Sequence, residues 1–400
     1  MLRGSGGFTL IELMVVLVLF VIVMMISASS FNTILLNSLR LFKSEESNIE
    51  GVVGLEMLRH DLQQAGFGLY TEQAGTNYAE ALDSLPAGNN DAPGNVPRPL
   101  AFLDNLDGTQ SVDSYTPLAG TDYISIKGTS ASTSTVAQKW TFLNITSTHV
   151  RPNTWVSAAE NFASTDSVVV LQKLFGNPPK TNLVSNPSGN FYYTYNSGFS
   201  NMSSAMNGLY SVYGIGSMGA PRFPFNRTDY FVAPPASAAA TPKTCAPGTG
   251  VLYKATLNNN QGDAQAGKLN YMPVVDCVLD MQVVLGWDSD GDGVIDTWTN
   301  AGGSNALGPG GAQNAALSTG MNNSLTTTPN IRNNLKIVKV YLIVQDGRKD
   351  TNYVSNTPLM LYDEASLTRV SGVALTPAQL NYRWKLYRLV VRPKNLLANQ

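Results

Sequence analysis

Asp288, Asp290, Asp292 and Asp296 are the residues of this chain whose types and spacing point most directly to chemistry. They lie in the run Trp287-Asp288-Ser289-Asp290-Gly291-Asp292-Gly293-Val294-Ile295-Asp296. Acids recur at every second position, followed by a glycine, an apolar residue and one more acid. Carboxylates this crowded repel one another unless a hard cation gathers them.

The order is that of the first part of an EF-hand-type loop, which predicts Ca2+ as a cofactor. Asp288, Asp290 and Asp292 would supply carboxylate oxygens. Val294 would offer its backbone carbonyl, and Asp296 a direct or water-mediated ligand. Gly293 stands where such a loop turns sharply, and Ile295 is expected to point inward. The last ligand position falls on Thr299 in place of Glu. Either another segment completes the shell, or binding is weak, in the ~10⁻⁴–10⁻³ M range of extracellular sites. A solvated Asp/Gly turn is the competing reading. Asp104-Asn105-Leu106-Asp107-Gly108 is too short to count as a second loop.

Glu12 is the second residue with a chemical role to explain. It sits at the start of an apolar run with no formally charged residue from Leu13 to Leu39. At 1.5 Å per residue that stretch makes about 40 Å of helix, enough to cross a bilayer core of ~30 Å. A carboxylate in such a helix is costly in lipid and marks a functional position. Only Arg3 and the amino terminus are positive before the run, which favours a cytoplasmic start and a translocated remainder. An ordinary signal peptide carries its small-residue cleavage site after the apolar run. Here the small residues, Gly6-Gly7, come before it.

No proline occurs before Pro86, so the helix is expected to continue past the membrane. Leu39, Phe42, Ile49, Val53 and Leu62 fall near helical spacing, with charged residues between them. The reading is one helix from about Phe8 to Ala65, stopped at Gly66. Gly51 and Gly54 then mark close packing of its second half against a sheet.

Charged residues are only 14% of the chain, against about 25% in ordinary soluble domains. The net charge is −2. Nothing global in that balance favours nucleic acid as a partner. The two cysteines, Cys245 and Cys277, are expected to form a disulfide in an exported head. In the chain-entropy view it would contribute roughly 3–4 kcal/mol. With two histidines and no CxxC, no zinc site is visible.

Strands are predicted over 122–127, 139–145, 167–171, 250–257, 274–287, 335–345 and 384–392. Residues 86–99, 177–190, 233–249 and 299–331 read as loops. Gly214-Ile215-Gly216-Ser217-Met218-Gly219 matches G-x-G-x-x-G, but Pro221 follows closely and no βαβ unit surrounds it, so a nucleotide site is rejected. Tyr192, Tyr193 and Tyr195 are read as packing residues, with an adhesive patch as the lesser alternative.

The start of the chain, Gly4-Ser5-Gly6-Gly7-Phe8-Thr9-Leu10-Ile11-Glu12-Leu13, resembles the class III signal of type IV prepilins. The carboxy-terminal order also fits: a strand leading into the Asp-rich loop, a KVYLIVQ strand and a final YRWKLYRLVVRPKN strand. Together these resemble the PilW-type minor pilins. The resemblance implies cleavage after Gly7 by a prepilin peptidase and N-methylation of Phe8. It also implies that Glu12 neutralises the terminal ammonium of a neighbouring subunit during assembly. Major pilins often carry a proline about three turns beyond that acid, whereas this chain has Ser27-Ala28-Ser29-Ser30.

The expected fold is α+β and pilin-like, a long transmembrane helix packed on an antiparallel β-sheet head with a large loop-rich β insertion. The expected divisions are a leader at 1–7, the helix at 8–66, a loop-rich β region at 67–249 and a β-rich region with the Asp loop at 250–400. The expected function is a non-catalytic minor pilin that helps initiate or cap pilus assembly. Its partners would be other minor pilins, the major pilin, the peptidase and the inner-membrane assembly platform. It would sit in the inner membrane with its head in the periplasm, then at the pilus tip. A type II secretion pseudopilin is the nearest alternative. An anchored enzyme lacks a nucleophile motif, and a DNA-uptake pilin lacks a basic stripe.

Overall fold

The first helix, α1 (Leu10–Gln64), runs unbroken through Ser27–Ser30. It belongs to a computed structural model that describes residues 9–72, 77–145, 150–174, 176, 180–195, 207–217, 219–237, 242–308, 315–361, 367 and 372–396. At 33, 36–51, 150–151 and 315–317 only the backbone is described. Gly7 and Phe8 lie outside the described residues.

Helix α1 starts where Thr9 caps it. The Thr9 hydroxyl accepts from the Glu12 amide, and the Glu12 carboxylate accepts from the Thr9 amide at 2.9 Å. This reciprocal capping box satisfies two of the helix's orphan donors. The helix ends at Ala65, and Gly66 then takes φ +86°, a left-handed turn suited to glycine. Residues Leu10–Asn32 are exposed throughout among the described residues and are long and apolar enough to cross a membrane.

The last turns of α1 pack into the head. Leu58, Leu62 and Ala65 are fully buried there. Gly54 lies so close to the sheet that a Cβ would sit 2.6 Å from the Val274 carbonyl oxygen. That approach moves the buried stripe off Val53, expected on it, which is 59% exposed.

Fifteen strands follow among the described residues. The middle of the chain gives α2 (Ser84–Ala87), β1 (Leu100–Leu103), β2 (Tyr123–Gly128), β3 (Trp140–Ile145), β4 (Val150–Pro152) and β5 (Ser167–Leu174). It continues with β6 (Lys180–Val184), β7 (Tyr193–Thr194), β8 (Gly208–Gly216) and β9 (Asn226–Ala233). Then come β10 (Gly250–Leu257), β11 (Leu269–Trp287), β12 (Thr297–Asn300) and β13 (Ala306–Leu307). Helices α3 (Ala315–Leu325) and α4 (Thr328–Asn334) precede β14 (Leu335–Asp346) and β15 (Arg383–Val391).

The main sheet has nine strands in the order β1-β2-β9-β10-β11-β12-β13, with β14 on β11 and β15 on β14. Every registered pair is antiparallel. It draws strands from both 67–249 and 250–400. A six-stranded sheet, β4-β3-β8-β5-β6 with β7 on β5, is an excursion between β2 and β9, which are neighbours in the main sheet. Helix α1 and one face of the main sheet enclose the largest core. Aromatics such as Phe231, Tyr253 and Phe225 join Val169 and Leu171 of the smaller sheet in a second core.

Two loop readings are corrected. Residues 177–190 contain β6, and 299–331 contain the end of β12, β13, α3 and α4. Helix α4 carries a proline in its first turn, where no amide hydrogen bond is lost. Strand β9 lacks a strand's apolar pattern because its polar residues are buried in pairs. Arg227 binds Asp229 and Glu80, while Lys127 of β2 binds Glu80 and Asp91, and Arg98 binds Asp91. Three bases meet three acids, so burial leaves no charge uncompensated there.

Candidate functional site

Two separate places carry the residues singled out by sequence. The first is the exposed start of α1. Glu12 is uncovered there, and its carboxylate also accepts from the Thr9 hydroxyl at 2.9 Å. Thr9-x-x-Glu12 is the capping-box pattern, so the cap is legible in the sequence itself. The carboxylate therefore has a local partner within the chain. Its charge is carried at the amino-terminal end of the helix, the end that favours an anion.

The second is the loop that joins β11 to β12. The sheet holds both ends, with Trp287 and Thr297 paired across the hairpin. Gly291 and Gly293 take φ +82° and +93°, so the sharp turns fall where glycine permits them. Oxygens of Asp288, Asp290 and Asp296 lie within 4.8 Å of one another. Asp292 is not one of that group, and its carboxylate accepts from the Val294 amide at 2.7 Å. The Val294 side chain is 63% exposed. Ile295 is half-buried and turns inward against Gly286. Thr299 is buried on β12, where its hydroxyl donates to the Asn305 carbonyl, so it does not complete the loop.

Asp288 is the anchor of this loop. Its oxygens accept from the Gly291 and Gly293 amides at 2.7 and 2.8 Å. Lys336 of β14 lies 3.2 Å away. Burial pushes its carboxyl up, but the Gly293 amide, Lys336 and the Gly291 amide together hold it below its ordinary value. It is therefore ionised at neutral pH. Asp296 accepts from the Ser289 amide through one oxygen, while its other oxygen, Oδ1, is buried with no donor among the described residues. A cation bound by these acids would satisfy that oxygen and would compete with Lys336 for Asp288.

Cys245 and Cys277 form the disulfide, with Cα atoms 5.1 Å apart. Cys277 has φ +54° and sits just before Val278, where β11 passes from β10 to β14 as its partner. The bond ties the 242–249 loop to that changeover. Gln345 of β14 grips the same loop, accepting from the Ala246 amide and donating to the Thr244 carbonyl.

Gly214 and Gly216 lie within β8, and a Cβ on Gly214 would fall 2.0 Å from the Val136 carbonyl oxygen. Close backbone packing, not phosphate, explains that glycine. Tyr193 and Tyr195 are buried, which removes the adhesive-patch alternative for them.

Residues 230–395 match the family model of type IV pilus-assembly protein W. Residues 2–28 match the prokaryotic N-terminal methylation motif. Neither match covers residues 29–229. No curated protein and no solved structure matches the chain. The methylation motif, the uncovered apolar helix and the β head define a membrane-anchored, prepilin-like protein. Within that class residues 230–395 are similar to the PilW family, and the two matches together support a PilW-type, type IV pilus-related minor pilin.

Proposed function

We propose that this protein is a non-catalytic minor pilin that helps initiate or cap type IV pilus assembly. Before assembly α1 would hold it in the inner membrane with its head in the periplasm. Afterwards it would occupy the pilus, near the tip, against other minor pilins and the major pilin. Prepilin peptidase would cut after Gly7 and leave Phe8 for methylation.

The observation that carries this reading is the division of α1. Its last turns bury Leu58 and Leu62 in the head, while Leu10–Asn32 is exposed throughout among the described residues. Lipid can cover that surface before assembly, and neighbouring helices can cover it in a filament. A head this large suits a low-copy or terminal position better than repeated packing along a shaft.

In this account Glu12 gives up part of its Thr9 contact to meet a neighbouring subunit's ammonium. Glu12→Ala should leave the protein in the membrane fraction but remove it from sheared pili. Immunoblots of both fractions read this directly. Unchanged recovery from pili would exclude the assembly role of Glu12. Asp288, Asp290 and Asp296, with Asp292 and Val294 nearby, would bind Ca2+ and stiffen the β11–β12 hairpin.

A further inference from the structure

Arg332 differs from every base in the buried network of the head. It projects from α4 and is 5% exposed. Its one hydrogen bond among the described residues runs from Nη2 to the Tyr70 carbonyl at 3.2 Å. Among the described residues its Nε is buried without an acceptor, and no carboxylate pairs with it. Burial pushes its guanidinium down to about 10, with only the Tyr70 phenol acting against that shift.

Arg332 lines a cleft of about 360 Å³ between the end of α1, the smaller sheet and the chain's last described turn. Asn395 lines it too, and its Nδ2 is a second buried donor without an acceptor among the described residues. Lys173 and Lys180 stand on the same walls. Lys180 is half-exposed and pairs with Glu72 at 2.8 Å. No Asp or Glu is among the lining residues.

We propose that this cleft binds a small oxyanion, a carboxylate or a phosphate group, through Arg332 and Asn395, with Lys173 adding charge. A guanidinium offers paired donors that match either group. Water could fill the cleft and reach the orphan donors, but it would not balance the buried charge. Elsewhere in the head buried Arg98, Lys127, Arg227 and Lys254 each meet an acid and buried Lys339 lies over the Trp298 ring, so an exogenous anion is the missing counterpart of Arg332. The cleft has the size of small-ligand sites.

The test uses the full-length protein in detergent micelles. Its melting temperature is followed against inorganic phosphate and against malonate, with chloride holding ionic strength constant. A saturable rise is expected for at least one anion, since ligand bound to the folded state alone stabilises it. Phosphate alone would assign a phosphate, malonate alone a carboxylate. Arg332→Gln should remove the rise. Lys173→Ala, at an exposed position that carries no core packing, should raise the half-saturating concentration about two- to fivefold. A melting temperature that tracks ionic strength alone for both anions would overturn the proposal. If Arg332→Gln does not fold, a Lys173→Ala titration identical to wild type would overturn it.

Discussion

Asp296 Oδ1 is a buried acceptor with no donor among the described residues, in a carboxylate group shared with Asp288 and Asp290. A bound Ca2+ would satisfy it and offset the crowding of charge, so calcium should raise the melting temperature. Asp290→Ala removes one member of the group at an exposed position and should abolish that rise. Thermal melts with calcium and with chelator measure it; an undiminished rise would put the ion elsewhere. Asp122 presents the opposite case. It is buried, accepts from the Asn105 and Val283 amides, and burial together with Asp104 holds its carboxyl well above the ordinary range. The folded protein keeps that proton where the unfolded chain has released it. Stability therefore falls as pH rises from about 4 through the folded value, by up to about 1.4 kcal/mol per pH unit. Asp122→Asn should flatten that slope in melting curves across pH. At this scale the sequence shows residue types and spacing well. Asp288, Asp290, Asp292 and Asp296 stand out because they fall in one short run. Arg332 and Asn395 do not, because only the tertiary fold brings them to one cleft.

Strands were legible where their residues match the pattern a sheet imposes. β10 is read to the residue, and β5, β14 and β15 announce themselves by β-branched and aromatic runs. β11 is longer than its reading because its first turns, Leu269–Pro273, pair with β10 while carrying a mixed, half-exposed sequence. α3 and α4 hid in an uncharged stretch of Asn, Thr and Gly with low helix propensity, where tertiary packing of Ile331 and Leu325 decides the structure. α1 was the most legible element, since a long apolar run without proline leaves few alternatives. Its junction with the sheet depends on Gly54. Gly54→Ala improves helix propensity by up to ~1 kcal/mol. The added methyl overlaps the Val274 carbonyl and Val275, and overpacking costs about 1–3 kcal/mol. The overlap should win, lowering the melting temperature by several degrees. An unchanged or higher value would mean that α1 sits less tightly on the sheet than 2.6 Å implies.

Across the molecule, polar surface replaces charge outside while the head keeps much of its charge inside. Glu80, Asp91, Lys127, Arg227 and Asp229 are all buried, and Asp61 of α1 meets Lys254 at 2.5 Å and the Tyr230 hydroxyl at 2.7 Å. These contacts fasten the helix and the 78–98 segment to one rigid sheet. Force along the uncovered half of α1 would thus pass into the sheet, as a subunit drawn from the membrane into a filament requires. The smaller sheet, built between two neighbouring strands, enlarges the head without interrupting that path. The central claim is a role in pilus assembly, and one measurement tests it most directly. The gene is deleted, surface pili are counted by electron microscopy, and secreted hydrolases are assayed in the same strain. Few or no pili with normal secretion, restored by the intact gene, is the predicted result. Normal pili with blocked secretion would contradict it and make the protein a type II secretion pseudopilin.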